Sequence, residues 1–280
     1  MAELGAFYHQ IEAGVKENGL TIEEAMDTMR AHGIKWADVN SQYLCEENPE
    51  EFASRLKAHG IGIISVHGLI DCDVVSEEAL TKSIENGKKH MMLAKRAGSK
   101  FFMIVPRKAD TYSQDKHDDY VKDARYVMKA LASYGKEIGI QPTVENFSDR
   151  SFPYTSFDSI EWILNNIPDM RYTFDSGNYT IAGFNEFVGA KIFFDKTVYA
   201  HVKEVKPVGY KTDCLRDGVY YDRPVFGDGI VRNFEVIDYY LKNGYDGVFS
   251  IEYYGNEKVF DKTLLSADKI KEKFSQLTME

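Results

Sequence analysis

The sequence predicts an α/β protein, a single (β/α)₈ TIM-type barrel occupying residues 1–280, on three observations. Short apolar runs alternate with segments of helical period along the whole chain. Strands separated by helices lie parallel. Eight such strands can be counted, and 280 residues divided among eight units gives 35 each, the size of a βα repeat. Finally, no G-x-G-x-x-G follows the first strand, as it would in an open dinucleotide-binding sheet.

The elements follow in order. A short strand spans Leu4 to Tyr8. A helix from Thr21 to His32 places Ile22, Ala25, Met26 and Met29 on one face, with Thr21 and Glu24 spaced as a capping box and Gly33 as its stop. A strand covers Trp36 to Asn40, and Asn48-Pro49 opens a helix that ends at Gly60. Strands are then expected at Ile61 to His67, Phe101 to Pro106, Ile140 to Glu145, Arg171 to Asp175, Val198 to Lys203 and Gly247 to Glu252. Between and after them come helices carrying Leu80 and Ile84, Val121 and Met128, Ile160 and Leu164, Phe184 to Phe194, Phe234 and Ile237, and Ile270 and Phe274.

One connection is too long for an ordinary βα loop of about 2–6 residues. It follows the seventh strand, about 203–229, and shows no periodicity from Lys203 to Phe226. It is rich in Lys, Arg and Tyr, which fits a lid over the barrel mouth. The net charge of −10 disfavours nucleic acid and anionic lipid as partners. No window is long and apolar enough to span a membrane, and no signal peptide is legible. Cys45, Cys72 and Cys214 are odd in number and scattered, as expected for reduced thiols and a cytoplasmic location.

In a barrel, reacting groups sit where strands end. Strands five to eight end in Thr143-Val144-Glu145, Thr173-Phe174-Asp175, Tyr199-Ala200-His201 and Ser250-Ile251-Glu252. Each time one acid or histidine is the first ionisable group after an apolar run. Alternation puts Glu145 on the face of Thr143, His201 on that of Tyr199 and Lys203, and Glu252 on that of Ser250. Three carboxylates and one imidazole would then converge, which requires compensating positive charge. One divalent metal bound by Glu145, Asp175, His201 and Glu252 supplies it. The three-oxygen, one-nitrogen set suits Mn²⁺ or Mg²⁺, with Co²⁺ and Zn²⁺ as alternatives.

The stretches VENF, FDSGN, HVKE and SIEYYG, in that order, resemble the xylose isomerase-like barrel superfamily. Within it the chain is similar to the sugar phosphate isomerase/epimerase group and the ketose 3-epimerases. The segment GDGIVRNFEVIDYYLKNGYDGVFSIE resembles that group's closing helix and last strand. The resemblance implies a small carbohydrate substrate, and frequent pairing into a homo-oligomer. It makes Glu145 and Glu252 the catalytic acid/base pair as well as metal ligands. The reaction implied is proton abstraction next to a carbonyl through an enediolate, giving isomerisation or epimerisation. Loss of a β-substituent from the same intermediate would make the enzyme a lyase or dehydratase on an inosose or a 3-oxo-glycoside, C-glycoside cleavage included. A non-catalytic sugar-binding subunit is a third reading, and an abasic-site endonuclease a fourth that the acidic charge disfavours. The 3-epimerases carry a substrate-touching His three residues after the Asp and an Arg six after the metal-binding His; Asn178 and Pro207 stand there.

Further substrate-binding candidates are His67, Lys203, Asn178, Asn40, Arg107, Arg216 and Arg223, with His9 a weaker one. His32, His59, His90 and His117, and the aromatics Phe193, Phe194, Tyr239 and Tyr240, read as packing or surface residues.

Overall fold

The structure, a computed structural model, describes residues 2–72, 76–108, 112–255 and 257–277. Eight strands close a parallel barrel: β1 (Glu3–Phe7), β2 (Ile34–Asn40), β3 (Gly62–Cys72), β4 (Phe101–Lys108), β5 (Gln141–Glu145), β6 (Arg171–Asp175), β7 (Thr197–Val202) and β8 (Val248–Ile251). They follow one another around the barrel in chain order, and β1 pairs with β8 to complete the ring. Each successive strand is reached through at least one helix, the crossover that parallel pairing requires.

Local chemistry explains the helix ends. Thr21 and Glu24 form the reciprocal capping box, each side chain bonded to the other's backbone N–H, at the start of Ile22–Ala31. Asn48 accepts from the backbone of Glu50 and Glu51 at the start of Pro49–Ala58. The helical faces bury Met26, Met29, Phe52, Met91, Met128 and Ile160 against the outside of the strands. Phe193 and Tyr240 join that core, and Tyr239 packs against it.

Three elements depart from the sequence reading. β1 ends at Phe7, and Tyr8 and His9 already belong to the helix Tyr8–Asn18. β3 runs past His67 to Cys72 because β4 is also long, and the two stay paired from Ser65↔Phe101 to Cys72↔Lys108. The connection after β7 is not irregular. It holds a three-stranded antiparallel sheet, Lys206–Val208, Cys214–Arg216 and Val219–Asp222, with the last strand in the centre. Strands of three or four residues are too short for a period of two to show. The tight turn between the second and third is Asp217-Gly218, with φ of 49° and 80°, the positive values favoured by an Asp-Gly hairpin.

Glu204 ties this lid to the barrel. Its buried carboxylate accepts from the backbone N–H of Val205 (3.2 Å), Gly227 (2.9 Å) and Val231 (3.0 Å), and from Asn233 Nδ2 (3.3 Å). A Cβ on Gly229 would lie 2.2 Å from Glu204 Oε1, so residue 229 must be glycine for the loop to close on that carboxylate. Among the described residues no helix is long and apolar enough to cross a membrane.

Glu204→Ala removes an acceptor and strands several buried N–H groups. The expected loss is about 2–3 kcal/mol of stability. Hydrogen exchange of residues 205–231 should accelerate ahead of the strands, measured by exchange mass spectrometry beside a denaturant titration.

Candidate active site

Strand register delivers the four ligand candidates. Asp175 on β6 is directly opposite His201 on β7, and Ser250 on β8 is opposite the same His201, so Glu252 follows two residues on along that face. Glu145 pairs with Thr173, two residues before Asp175. The residues two positions earlier, Thr143, Thr173, Tyr199 and Ser250, are all fully buried beneath the site. Thr173 and Thr143 share a hydrogen bond of 2.9 Å. One ligand atom from each of Glu145, Asp175, His201 and Glu252 lies within 4.8 Å of every other. Donors held at about 2.0–2.2 Å from one ion lie no more than about 4.4 Å apart, so a slight contraction of this cluster brings all four onto a single cation.

The charges inside this cluster are unequal. Burial pushes the Asp175 carboxyl well above the usual carboxylate range, reinforced by Glu252 and Glu145 and opposed by Lys203. Burial acts on Glu252 too, but the Lys203 ammonium and the His201 imidazole outweigh it and hold that carboxyl well below its ordinary value. Lys203 Nζ is 2.5 Å from Glu252 Oε1 and 3.1 Å from Asp175 Oδ2, and donates to Asn178 Oδ1 at 2.9 Å. Burial alone would lower the lysine; Asp175, Glu252 and Glu145 raise it instead, so it stays an ammonium. His201 is likewise held protonated against its burial, by Glu145 first. Its Nδ1 is 2.5 Å from Glu145 Oε1 and 3.2 Å from Glu252 Oε2.

Asp38, on β2, was not singled out in the sequence. Its fully buried carboxylate accepts from His201 Nε2 (2.9 Å) through one oxygen and from His67 Nδ1 (3.1 Å) through the other. Burial would raise its pKa, but the two imidazoles bring it below the ordinary value. The bond to Asp38 commits His201 Nε2 to a proton and leaves Nδ1 to face the carboxylates, as when an outer carboxylate orients a metal-binding histidine. The available signal was its place two residues before Asn40, on the same strand face.

The residues present fit a divalent cation. Asp175 Oδ2 is buried and accepts no hydrogen bond, although Lys203 Nζ is 3.1 Å away. A buried carboxylate oxygen without a donor needs another partner. Three carboxylates and an imidazole with its orienting aspartate make a suitable donor set.

A cavity of about 330 Å³ opens above the cluster. His67, Asn40, Asn178, Lys203, Arg216 and Arg223 all line it, with Glu145 and Glu252 at its floor. Asn178 also bonds within the protein: its amide donates to Asn146 O and its carbonyl accepts from Lys203 Nζ, which helps to place the lysine. Arg216 and Arg223 reach the cavity from the lid sheet, and Arg223 Nη1 bonds Asp213 Oδ1 (2.7 Å) and Tyr254 O (3.1 Å). Arg107 lies outside, paired with Asp71 at the extended ends of β3 and β4. His9 stacks on Tyr254 with ring centroids 4.5 Å apart. His90 is buried against Ser41, and His32 and His59 form ion pairs on the outer surface.

The family model described as a xylose isomerase-like TIM barrel matches residues 12–272. The chain belongs to this family. No curated protein matches it. Among solved structures, D-allulose 3-epimerase from Methylomonas sp. in complex with D-allulose is 14% identical, with a TM-score of 0.72 and 97% of each chain covered. An IolI protein with a bound zinc atom is 16% identical, with a TM-score of 0.72 and 96% of each chain covered. The probable 3-DHS dehydratase AsbF of Bacillus anthracis is 15% identical, with a TM-score of 0.69, covering 96% of this chain and 98% of that one. At these identities the likeness is one of fold, and it spans this member of the xylose isomerase-like family almost from end to end.

Two outcomes follow. Asp38→Asn, which keeps the shape but weakens the hold on His201, should reduce divalent-metal affinity about 10–100-fold, read by competition with a fluorescent chelator. Metal affinity should also rise with pH through the neutral range. Their surroundings raise the proton affinity of both Asp175 and His201 in the metal-free protein, so the ion competes with protons there and competes better as pH increases. Calorimetry in two buffers of different ionisation enthalpy should show net proton release; proton uptake would reverse this assignment.

Proposed function

We propose that this chain is a divalent-metal-dependent isomerase or epimerase that removes a proton next to the carbonyl of a sugar or keto-sugar. The observation that carries this reading is the convergence of Glu145, Asp175, His201 and Glu252, two of which, Glu145 and Glu252, also line a cavity of ligand size. A divalent cation there, Mn²⁺ in first place and Mg²⁺, Co²⁺ or Zn²⁺ otherwise, would stabilise negative charge on the enediolate oxygens. The protein's own groups divide the rest of the work. Lys203 beside Glu252 keeps its carboxyl ionised, and Glu252 lines the cavity, where it would act as the proton acceptor. Glu145 comes from a strand separated from β8 by β6 and β7, so the two glutamates enter the cluster from opposite ends. Glu145, once protonated from solvent, is thereby suited to give that proton to the other face of the reacting carbon, which inverts it, while the proton taken by Glu252 returns to solvent. Asn40, His67 and the lid arginines Arg216 and Arg223 would hold substrate hydroxyls and exclude water.

A second reading, elimination from an inosose or a 3-oxo-glycoside, is favoured by Lys203. It is an ammonium lining the cavity, and its charge would stabilise the negative charge that develops on a departing oxygen beside Glu252. Both readings begin with the same proton abstraction and differ in whether a bond to oxygen or carbon then breaks.

Proton NMR in D₂O across ketoses, inososes and 3-oxo-glycosides tests both. Deuterium should enter the carbon next to the carbonyl, in recovered substrate or its epimer for the first reading and with loss of water or aglycone for the second. Chelator-treated protein should lose the activity and regain it with added metal. Glu145→Gln and Glu252→Gln should each slow exchange by about 10²-fold or more. Exchange that survives both substitutions would overturn the roles of the two glutamates, and no exchange with any compound while sugar still binds would leave a sugar-binding subunit instead.

A further inference from the structure

A second cavity of about 360 Å³ adjoins the one above the acid cluster. The two share Phe7, Asn40, His67 and Tyr254 as walls, so they meet at those residues. Phe7 stands at the waist, its ring centroid 5.6 Å from His67, 4.9 Å from His201 and 5.7 Å from Tyr254. The first lobe holds Glu145, Glu252 and Lys203; the second holds none of them. Each lobe is by itself at the small end of the range for ligand pockets, about 300–1,000 Å³. A single sugar engaged with the acid cluster fills the first and leaves the second to whatever the sugar carries.

The second lobe is built, not incidental. The chain between β2 and the helix Pro49–Ala58 forms one wall through the short helix Tyr43–Glu46. Tyr43 is fixed there by its hydroxyl on Glu12 and by edge-on packing against Tyr8, ring centroids 4.8 Å apart. The stacked pair His9 and Tyr254 also lines the lobe, and His9 is kept in place by a 3.1 Å contact from Nε2 to Tyr253 O. Flat aromatic faces suit a ring. Asn40, Gln42 and Glu46 add hydrogen-bonding groups, with Gln42 and Glu46 at the open edge.

We infer that the second lobe is a subsite for a second, hydroxyl-bearing ring joined to the reacting sugar, so that the physiological substrate is a glycoside rather than a free monosaccharide. The inference rests on the reading that the acid cluster holds the reacting sugar. Aromatic faces with polar groups at one edge are the surroundings such a ring requires, whether it is a sugar or a phenol.

The test measures binding and needs no turnover, so it is separable from the reaction assay. For each of D-glucose, D-galactose and D-mannose, calorimetry on Mg²⁺-loaded protein compares the free sugar with its phenyl glycoside and with a disaccharide bearing it at the non-reducing end. At least one two-ring compound should bind more tightly than its parent sugar by about fivefold or more. The arm that gains most, phenyl or sugar, identifies the second ring. Gln42→Trp, an exposed position whose new side chain fills the second lobe, should bring that ratio close to one. The subsite is refuted if no two-ring compound reaches that gain, or if the gain survives Gln42→Trp. Absence of hydrogen exchange in the reaction assay together with the expected binding ratio would refute the proposed chemistry and leave the subsite standing.

Discussion

Three carboxylates buried at the end of one barrel must be compensated, and the rest of the site is arranged around that requirement. Glu145, Asp175 and Glu252 come from three strands and cannot all be ionised together in a low-dielectric pocket without nearby positive charge. His201 and Lys203 supply part of it, one hydrogen-bonded to Glu145 and the other bridging Glu252 and Asp175. The balance falls on Asp175, which burial and its acidic neighbours push toward its protonated form. A site that binds a doubly charged ion exchanges that proton for the ion. Compensation is therefore both the local stability problem and the source of the proposed chemistry.

The barrel solves the positioning. Parallel pairing with fixed register sets Asp175 beside His201 and His201 beside Ser250, and alternation turns Glu252 to the same face. Orientation is then refined from the far side of the barrel. Asp38 holds the rear of His201 and the front of His67 with one carboxylate, linking β2, β3 and β7 across the mouth. The lid is anchored through Glu204, directly after Lys203, so the lid's anchor and the cluster's lysine share one stretch of backbone.

The barrel and the four converging heads were legible because both depend on short-range pattern. Apolar runs alternating with helical segments imply parallel strands, and an acid or histidine ending each of four successive strands marks a mouth. What the sequence hid was decided by contacts between distant residues. Asp38 looks like one more strand residue until His67 and His201 are seen on either side of it. Asn178 is close to the cluster in sequence, yet its amide is spent on Asn146 and Lys203. Arg107 is near a strand end, but β3 and β4 overshoot the mouth and carry it to Asp71. The small lid sheet escaped because three-residue strands leave no periodicity, although Asp217-Gly218 was a visible hairpin signal.

Equilibrium dialysis of chelator-treated protein against Mn²⁺, with elemental analysis, examines the central claim most directly. Wild-type protein should take up one ion per chain, and alanine at any one of Glu145, Asp175, His201 or Glu252 should weaken uptake at least about tenfold. Uptake that is unchanged by all four substitutions, or a folded wild-type chain that takes up no ion, would contradict it.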